Sequence, residues 1–377
     1  MPLSTVEASA LNESGMVTAT PEREGWSVTA QYVVGTLRRG DLLVRVAPKV
    51  GAVQVLSLLA RAQGASYLTV DAEQVFVDDE ADLSAVLARL FCEEAKTALA
   101  AGPLRGYRTE DQTLPVLRGR VRLRDQYLRR FNQLHPLEVT VDEWTVDTDE
   151  NRLIRTAVLL LLQQPGLTAE VEVDLRRIDR ILTEASLLTP GAATPWTPTR
   201  LNARLHALLA VSELVVRYAG VENNPGEVPV HGFWLNMATL FEHLVARLFA
   251  EADPAWDAQN SYKLDHGGAL TIRPDLVHTT SMGVSAVADT KYKLLGDAGK
   301  ASNADVYQLM AYCARLGLAT GHLLYANGGP QPAPYEIRGA GVAVAVHRLD
   351  LTLPLAELEE RVRTLAVRLA PARTRIA

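Results

Sequence analysis

The sequence predicts an α+β N-terminal region, a mainly helical middle and an α/β C-terminal domain with a helix, three strands, a helix and a strand as its core. Three observations lead there. Apolar and β-branched runs flank a glycine turn near the start. Long central stretches carry apolar residues at helical spacing. After residue 229, short strand-like runs are enclosed between two amphipathic helices. With 377 residues, 48% of them hydrophobic, the chain can bury two or three cores. The expected segments are a flexible 1–25, an α+β domain over 26–110 suited to docking a partner, a mainly helical domain over 111–228, and the α/β domain over 229–377.

The first 25 residues are rich in Ser, Thr, Glu and Ala, and ordered structure is expected to begin near Trp26. Ser27 to Val34 and Leu42 to Val46 flank Arg38, Arg39 and Gly40, a pattern for a β-hairpin with a basic tip. Val53 to Ala62 and Leu83 to Ala101 have helical periodicity, and Gly102 and Pro103 close the second helix. In Pro115 to Arg130, Arg118, Arg120, Arg122 and Arg124 alternate with Leu117, Gly119, Val121 and Leu123. Period two would set four guanidiniums on one strand face. Asp147 to Glu150 precede a helix over Asn151 to Leu162, where negative side chains favour the N-terminus. Helices are also expected over Leu175 to Leu188 and Leu201 to Tyr218, separated by a Pro- and Thr-rich loop, Thr189 to Thr199. Asn223 to Pro229 reads as a linker.

The last region reads helix (Leu235 to Glu251), strands (Trp256 to Leu264, Leu270 to Val277, Val284 to Tyr292), helix (Asn303 to Leu316) and strand (His322 to Tyr325). A closing strand, Val342 to Leu349, and a helix, Leu355 to Leu369, follow.

A formal net charge of −6 argues against a surface coated for indiscriminate nucleic-acid binding, so any DNA contact must be a local patch. Cys92 and Cys313 lie in apolar surroundings, which suits buried thiols in a reducing, cytoplasmic setting rather than a disulfide. The N-terminus lacks the pattern of a signal peptide, and the longest apolar run, Ala157 to Leu162, is too short to span a bilayer. His231, His243, His266, His278 and His347 have no zinc-site spacing; His278, close after Asp275, is the one worth testing.

The chemistry concentrates in the C-terminal region. Arg273, Pro274 and Asp275 end one expected strand, and Asp289, Thr290 and Lys291 end the next, fourteen positions after Asp275. On a strand Asp289 and Lys291 share a face, and a hairpin brings Asp275 beside them. Two carboxylates and an ammonium suit phosphodiester hydrolysis: carboxylate oxygens hold Mg²⁺, or Mn²⁺, and the cation neutralises charge on the phosphoryl group. The Thr290 carbonyl is a further candidate ligand, and Lys291 would orient the attacking water or stabilise developing charge. An Asp-x-Lys tripeptide alone carries little weight; its setting does. Glu242 lies on the preceding helix, and Asp305, Gln308 and Tyr312 on the following one, with Val306, Leu309, Met310 and Cys313 expected on its core side.

The order of elements, with Pro274-Asp275, Asp289-Thr290-Lys291 and Gln308 to Tyr312, resembles the PD-(D/E)xK nuclease superfamily with a RecB-like Gln-x-x-x-Tyr extension. More narrowly it resembles McrC, the nuclease subunit of McrBC-type restriction systems that act on DNA containing 5-methylcytosine. Leu240-Phe241-Glu242, Asp289-Thr290-Lys291-Tyr292-Lys293 and Asp305 to Tyr312 carry the resemblance, with Ala47-Pro48-Lys49, Leu117-Arg118-Gly119-Arg120 and Asn151-Arg152 upstream. The resemblance implies a Mg²⁺-dependent DNA endonuclease, with Asp275, Asp289, Lys291, Glu242, Gln308 and Tyr312 in its site. It also implies an AAA+ GTPase partner of the McrB kind, with pairing of copies for a double-strand cut. The chain has no Gly-x-x-x-x-Gly-Lys-[Ser/Thr] loop, the nearest fragment being Gly299-Lys300-Ala301. The tip at Arg38 and Arg39 would face the partner, and the four arginines would meet DNA phosphates or an acidic partner surface. Two other readings remain open: a stand-alone repair nuclease, which would cut without nucleotide, and a non-catalytic adaptor that activates an NTPase ring.

Overall fold

The computed structural model describes residues 3–13, 15, 17–30, 32–39, 42–65, 82–189, 196–222, 230–293 and 300–370. In chain order the helices are α1 (Thr5–Glu13), α2 (Ala52–Ala62), α3 (Leu83–Ala98), α4 (Leu123–Arg129), α5 (Asp149–Leu162), α6 (Ala169–Ile181), α7 (His206–Tyr218), α8 (Met237–Ala252), α9 (Asn303–Leu316) and α10 (Leu355–Leu369). The strands are β1 (Val17–Glu22), β2 (Gly25–Ala30), β3 (Val33–Arg39), β4 (Leu42–Val46), β5 (Gly106–Leu114), β6 (Arg120–Val121), β7 (Leu137–Thr145), β8 (Ala219–Glu222), β9 (Val230–Asn236), β10 (Trp256–Ala258), β11 (Tyr262–Lys263), β12 (Thr271–Ile272), β13 (Leu276–Thr280), β14 (Gly283–Lys291), β15 (Thr320–Tyr325), β16 (Tyr335–Ile337) and β17 (Val342–Arg348). They form a mixed α/β fold of several small sheets and one six-stranded mixed sheet.

The chain divides into two compact units: one of residues 1–35, 45–66 and 234–377, the other of residues 36–44 and 67–233. The expected N-terminal domain is therefore shared out, its first strands and α2 going with the C-terminal region and α3 with the middle.

In the first unit the large sheet runs β10-β13-β14-β15-β17-β16. β13 and β14 form an antiparallel hairpin with Leu276 opposite Ala288. β14, β15 and β17 are mutually parallel, so their carboxyl ends share one edge. Alternation along each strand sorts side chains between the faces. Val277, Val287, Leu323, Tyr325, Val344 and Val346 pack with Leu309, Tyr312 and Cys313 of α9. α9 lies close to the sheet because Gly321 has no side chain: a Cβ there would come within 2.7 Å of Cys313 Sγ. α8 buries Leu240, Phe241, Leu244, Val245, Leu248 and Phe249, and α10 buries Leu358, Val362, Leu365 and Ala366. At about 25 cal/mol per Å² of apolar surface, such side chains supply most of the drive for folding.

The N-terminus corrects the expectation of a flexible lead-in. α1 buries Ala8 and Leu11, the β1–β2 hairpin buries Val17 and Ala19, and the Asn12 side chain both donates to Ala19 O (3.1 Å) and accepts from Ala19 N (2.7 Å). The basic hairpin exists as β3 and β4, but Gly40 and the Arg39 side chain lie outside the described residues, as do the proposed linker and Gly299. Regular structure over Ser27 to Val34 is split between β2 and β3, because β2 pairs back onto β1.

The second unit is less purely helical than expected. β5 and β7 pair over nine residues, from Gly106↔Thr145 to Leu114↔Leu137, and β6 adds two more pairs to β7. Around them, α3, α5, α6 and α7 supply buried faces. α6 begins earlier than residue 175 because Thr168 caps it, its side chain accepting from Val171 N.

Candidate active site

β14 carries Asp289 and Lys291 to the carboxyl edge of the large sheet, on the face that α9 covers. Val287, Asp289 and Lys291 alternate with Ala288 and Thr290, and Val287 belongs to the core beneath α9. Asp289 is 2% exposed. Lys291 Nζ stands 2.5 Å from Asp289 Oδ2, yet off the line of a hydrogen bond, so Oδ2 is a buried oxygen with no hydrogen-bond partner. Burial, then the charge of Asp275, raise the Asp289 carboxyl to about 6, against the opposing pull of Lys291. Burial works against the charge of Lys291, but Asp289 and then Asp275 and Asp305 outweigh it, and the ammonium is held above its ordinary value.

Asp275 sits between β12 and β13, not at the end of a longer strand as expected. Its Oδ2 accepts from Thr290 N and Thr290 Oγ1, both at 2.7 Å. Because Leu276 pairs with Ala288, Thr290 lies past the last ladder pair on the β13 side, and its amide is free to meet Asp275. The same geometry leaves the Thr290 carbonyl on that side, while the Lys291 carbonyl accepts from Ala326 N at 3.1 Å.

A hydrogen-bonded line continues onto α9. Lys291 Nζ donates to Gln308 Oε1 (2.9 Å), Gln308 Nε2 donates to Tyr312 OH (2.6 Å), and Tyr312 OH donates to Arg273 O (3.4 Å). The partition of α9 differs from the expectation. Its buried residues are Asp305, Leu309, Tyr312 and Cys313, so the Tyr312 ring belongs to the core and only its hydroxyl reaches the site. Asp305 makes a separate pairing: Lys293 Nζ lies 2.7 Å from Oδ2, and Tyr325 OH donates to the same oxygen.

Glu242 is not beside the two aspartates. Gln259 Nε2 donates to it, Arg273 Nη2 donates to Gln259 Oε1, and Gln259 N donates to Asp275 O at 3.0 Å. Glu242 thus acts on Asp275 through Gln259, which takes a left-handed φ of 58°, uncommon for a residue with a side chain. Gln259 and Arg273 as supports of Asp275 had no periodic signal in the sequence. His278 is structural: it is 3% exposed, bonded to Ser285 Oγ (2.6 Å) and Asp253 Oδ2 (3.2 Å), with its ring against Trp256.

Among the described residues no three His, Cys, Asp or Glu side chains converge. Mg²⁺ does not require three, since it is commonly held by one or two carboxylates with water and substrate phosphate. The Asp289 carboxylate, whose Oδ2 has Lys291 as ion-pair partner but no hydrogen bond, the Asp275 carboxylate and the Thr290 carbonyl form a hard-oxygen set that fits such a cation.

The four arginines do not share a strand face. Only Arg120 and Val121 are strand; Arg118 is in the preceding loop, Arg122 directly precedes α4 and Arg124 is within it. Gly119, at φ 75°, breaks the extended run where the backbone passes so close to β7 that a Cβ would meet Thr140 O at 2.2 Å. Arg118 pairs with Glu143 (3.0 Å), and Arg122 with Asp111 (3.0 Å), Asp125 and Glu138 (3.4 Å). Arg120 and Arg124 are exposed.

Residues 28–326 match the family described as McrBC 5-methylcytosine restriction system component. Among solved structures, the chain is similar to one in the refined half-complex from the tetradecameric assembly of Thermococcus gammatolerans McrB AAA+ hexamers with bound McrC. The TM-score is 0.64 at 17% identity, over 95% of this chain and 87% of that one. The cryo-EM structure of the Thermococcus gammatolerans McrBC complex gives 0.44 at 19% identity, over 66% of this chain and 74% of that one. No curated protein matches. No helix among the described residues is long and apolar enough to cross a membrane.

Proposed function

The chain belongs to the McrBC 5-methylcytosine restriction system component family, is McrC-like, and from that premise we propose that it is the subunit that cuts DNA, by cation-assisted hydrolysis at Asp275, Asp289 and Lys291. The observation that carries this reading is the buried Asp289 carboxylate, held beside a second carboxylate, Asp275, with the Lys291 ammonium 2.5 Å from its Oδ2. Burial and the charge of Asp275 oppose the ionised Asp289 more than Lys291 supports it, and a divalent cation held by the two carboxylates would offset that opposition.

Asp275, Asp289 and the Thr290 carbonyl would hold Mg²⁺ or Mn²⁺. When bound, the cation supplies charge neutralisation at the phosphoryl oxygens. Lys291, kept protonated by Asp289, is a donor and not a base: it stabilises charge developing on the phosphate and, held by Gln308 Oε1, keeps one direction. Tyr312 fixes Gln308 in turn. Glu242 and Gln259 hold the Asp275 segment in place.

The solved relative in which McrC is bound to McrB AAA+ hexamers supports an AAA+ partner of the McrB kind; that this partner is a GTPase, and that two copies of this chain cooperate in a double-strand cut, belong to the same proposal. The test is cleavage of methylated and unmethylated plasmid with Mg²⁺, comparing wild type with Asp289→Ala, with and without the partner and GTP. Cutting that needs both Asp289 and GTP supports the reading. Cutting without GTP makes the chain a stand-alone nuclease. Equal inactivity of both proteins, while both stimulate GTP hydrolysis, sinks the catalytic assignment.

A further inference from the structure

Ala47-Pro48-Lys49 has no part in the catalytic arrangement, yet the fold brings Lys49 to the site's own edge. Beyond the carboxyl ends of β14, β15 and β17 lies a cavity of about 440 Å³, whose lining includes Tyr32, Lys49, Tyr292, Lys293, Asn327 and Asp350, all in the first unit. In open α/β sheets ligands bind outside the carboxyl ends of parallel strands, and this volume suits a small organic group. Tyr292 and Lys293 directly follow Lys291. At about 3.8 Å between consecutive Cα atoms, the cavity wall begins within roughly 8 Å of the catalytic lysine backbone.

The lining has the chemistry of a nucleotide. Tyr32 and Tyr292 meet edge to face, 6.2 Å apart at 86°, and Tyr32 remains 51% exposed, leaving ring surface for a planar base. Tyr32 holds a left-handed φ of 56°, while its carbonyl accepts from Met237 N at 2.8 Å; strain of this kind clusters at ligand sites. The two lysines differ. Lys293 is neutralised by Asp305, whereas Lys49 is exposed and its ammonium has no ion pair or hydrogen bond among the described residues, so one positive charge is available to a phosphate. Asp350, bonded to Thr352 Oγ1 at 2.6 Å and Thr352 N at 3.0 Å, offers an acceptor, and Asn327 an amide; both suit the polar edge of a base.

We propose that this cavity is a nucleotide subsite that receives one nucleotide of the DNA strand next to the reacting phosphate, its base on Tyr32 and Tyr292 and its phosphate on Lys49. The identity of the strand as DNA and of its neighbouring phosphate as the reacting one rest on the nuclease reading; the fit of the cavity to a nucleotide does not. Lys49 and Tyr32 are then binding residues that touch the substrate without touching the bond that breaks.

Binding of a labelled single-stranded oligodeoxynucleotide to the full chain, with Ca²⁺ replacing Mg²⁺, tests this by fluorescence anisotropy at several salt concentrations. Tyr32→Ala should weaken binding about tenfold, as expected for a lost base stack, and Tyr32→Phe should restore it. Lys49→Ala should lower the slope of log affinity against log salt by about 0.7, the share of one single-strand phosphate contact. A fully abasic oligonucleotide should bind wild type and Tyr32→Ala alike. Unchanged affinity and slope in folded Tyr32→Ala and Lys49→Ala overturn the proposal; if Tyr32→Ala does not fold, the salt slope of Lys49→Ala decides. Binding of free GTP or deoxynucleoside monophosphate that depends on both residues, with the oligonucleotide indifferent to them, also overturns the assignment to a strand. Cleavage in parallel separates the two readings. An inactive wild type that still binds through Tyr32 and Lys49 removes the nuclease and keeps the subsite. Asp289-dependent cutting with no effect at Tyr32 or Lys49 does the reverse.

Discussion

Replacing Asp289 by Asn should stabilise the cation-free protein above pH 6 and destabilise it relative to wild type when Mg²⁺ is added. The carboxyl is raised from 3.8 to about 6, first by burial and then by Asp275. A rise of about 2 units corresponds to about 3 kcal/mol by which the ionised carboxylate opposes folding. The sign follows from proton uptake. Between about pH 4 and pH 6 the folded protein binds a proton at Asp289 that the unfolded chain releases, so this stability is complete below about pH 4 and is lost as pH rises through about 6. An asparagine lacks the charge at every pH, and the pull of Lys291 is already contained in the rise to about 6, so the expected gain at pH 8 is the full ~3 kcal/mol. For a unit of roughly 150–250 residues that is a rise in Tm of roughly 6–12 °C. Thermal unfolding at pH 4, 6 and 8 reads it: no difference at pH 4, a growing one through pH 6, a plateau above. With Mg²⁺ at about one thousand times its Kd, wild type gains about 4.1 kcal/mol, the Asp289→Asn variant lacks that gain, and the order of stability reverses. An Asp289→Asn difference that is the same at pH 4 and pH 8, or Mg²⁺ stabilising both proteins equally, would refute the account of a carboxylate kept strained for a cation.

Lys291→Ala should lower cleavage about 100-fold or more, the usual loss when a charge-stabilising donor is removed, while Mg²⁺ still raises Tm. Tyr312→Phe keeps the ring in the core but removes the hydroxyl that Gln308 holds; cleavage should fall about fivefold to tenfold, the worth of one hydrogen bond, with Tm little changed. Gly119→Ala should destabilise by more than about 1 kcal/mol, because a Cβ there meets Thr140 O at 2.2 Å and φ is 75°; denaturant midpoints of the two proteins measure it. Glu242→Gln should leave folding intact and lower cleavage, by loosening the Gln259 support of Asp275, and a rise in the Mg²⁺ concentration needed for half-maximal rate would distinguish this from direct chemistry.

The C-terminal elements were legible because their signals were apolar and periodic. Val277, Val287, Leu323 and Val344 face one core, and α9 starts at a Ser cap, so element order and the meeting of Asp289 with Lys291 could be read from spacing. β5 could not. Its nine residues, Gly106 to Leu114, are all half-buried or exposed, and what makes it a strand is pairing with β7, which no local pattern announces. α1 escaped for a related reason: its weak apolar face is completed by β1 and β2 and by the Asn12 clamp on Ala19. Spacing along α9 indicates that Gln308 and Tyr312 can meet, as their hydrogen bond shows, but not that Asp305 and Tyr312 are buried: each lies on the core side with its polar atoms bonded, Asp305 to Lys293 and Tyr325, Tyr312 to Gln308.

The arginine run shows what period two omits. Alternation at Arg118, Arg120, Arg122 and Arg124 describes a strand only if the backbone stays extended, and Gly119 ends that condition. The charges then find partners inside their own unit. Glu138, 2% exposed on β7, faces Arg122, Arg129 and Arg130, and a buried carboxylate of that kind needs its cations more than a phosphate does. Of the four, Arg120 and Arg124 alone are exposed without an ion pair among the described residues. Two duplex phosphate contacts would contribute a slope of only about −1.8 in log affinity against log salt. Strong, salt-sensitive DNA binding would therefore need cations elsewhere, and Lys49 and Lys291, at the carboxyl edge of the large sheet, are the ones the active-site geometry supplies.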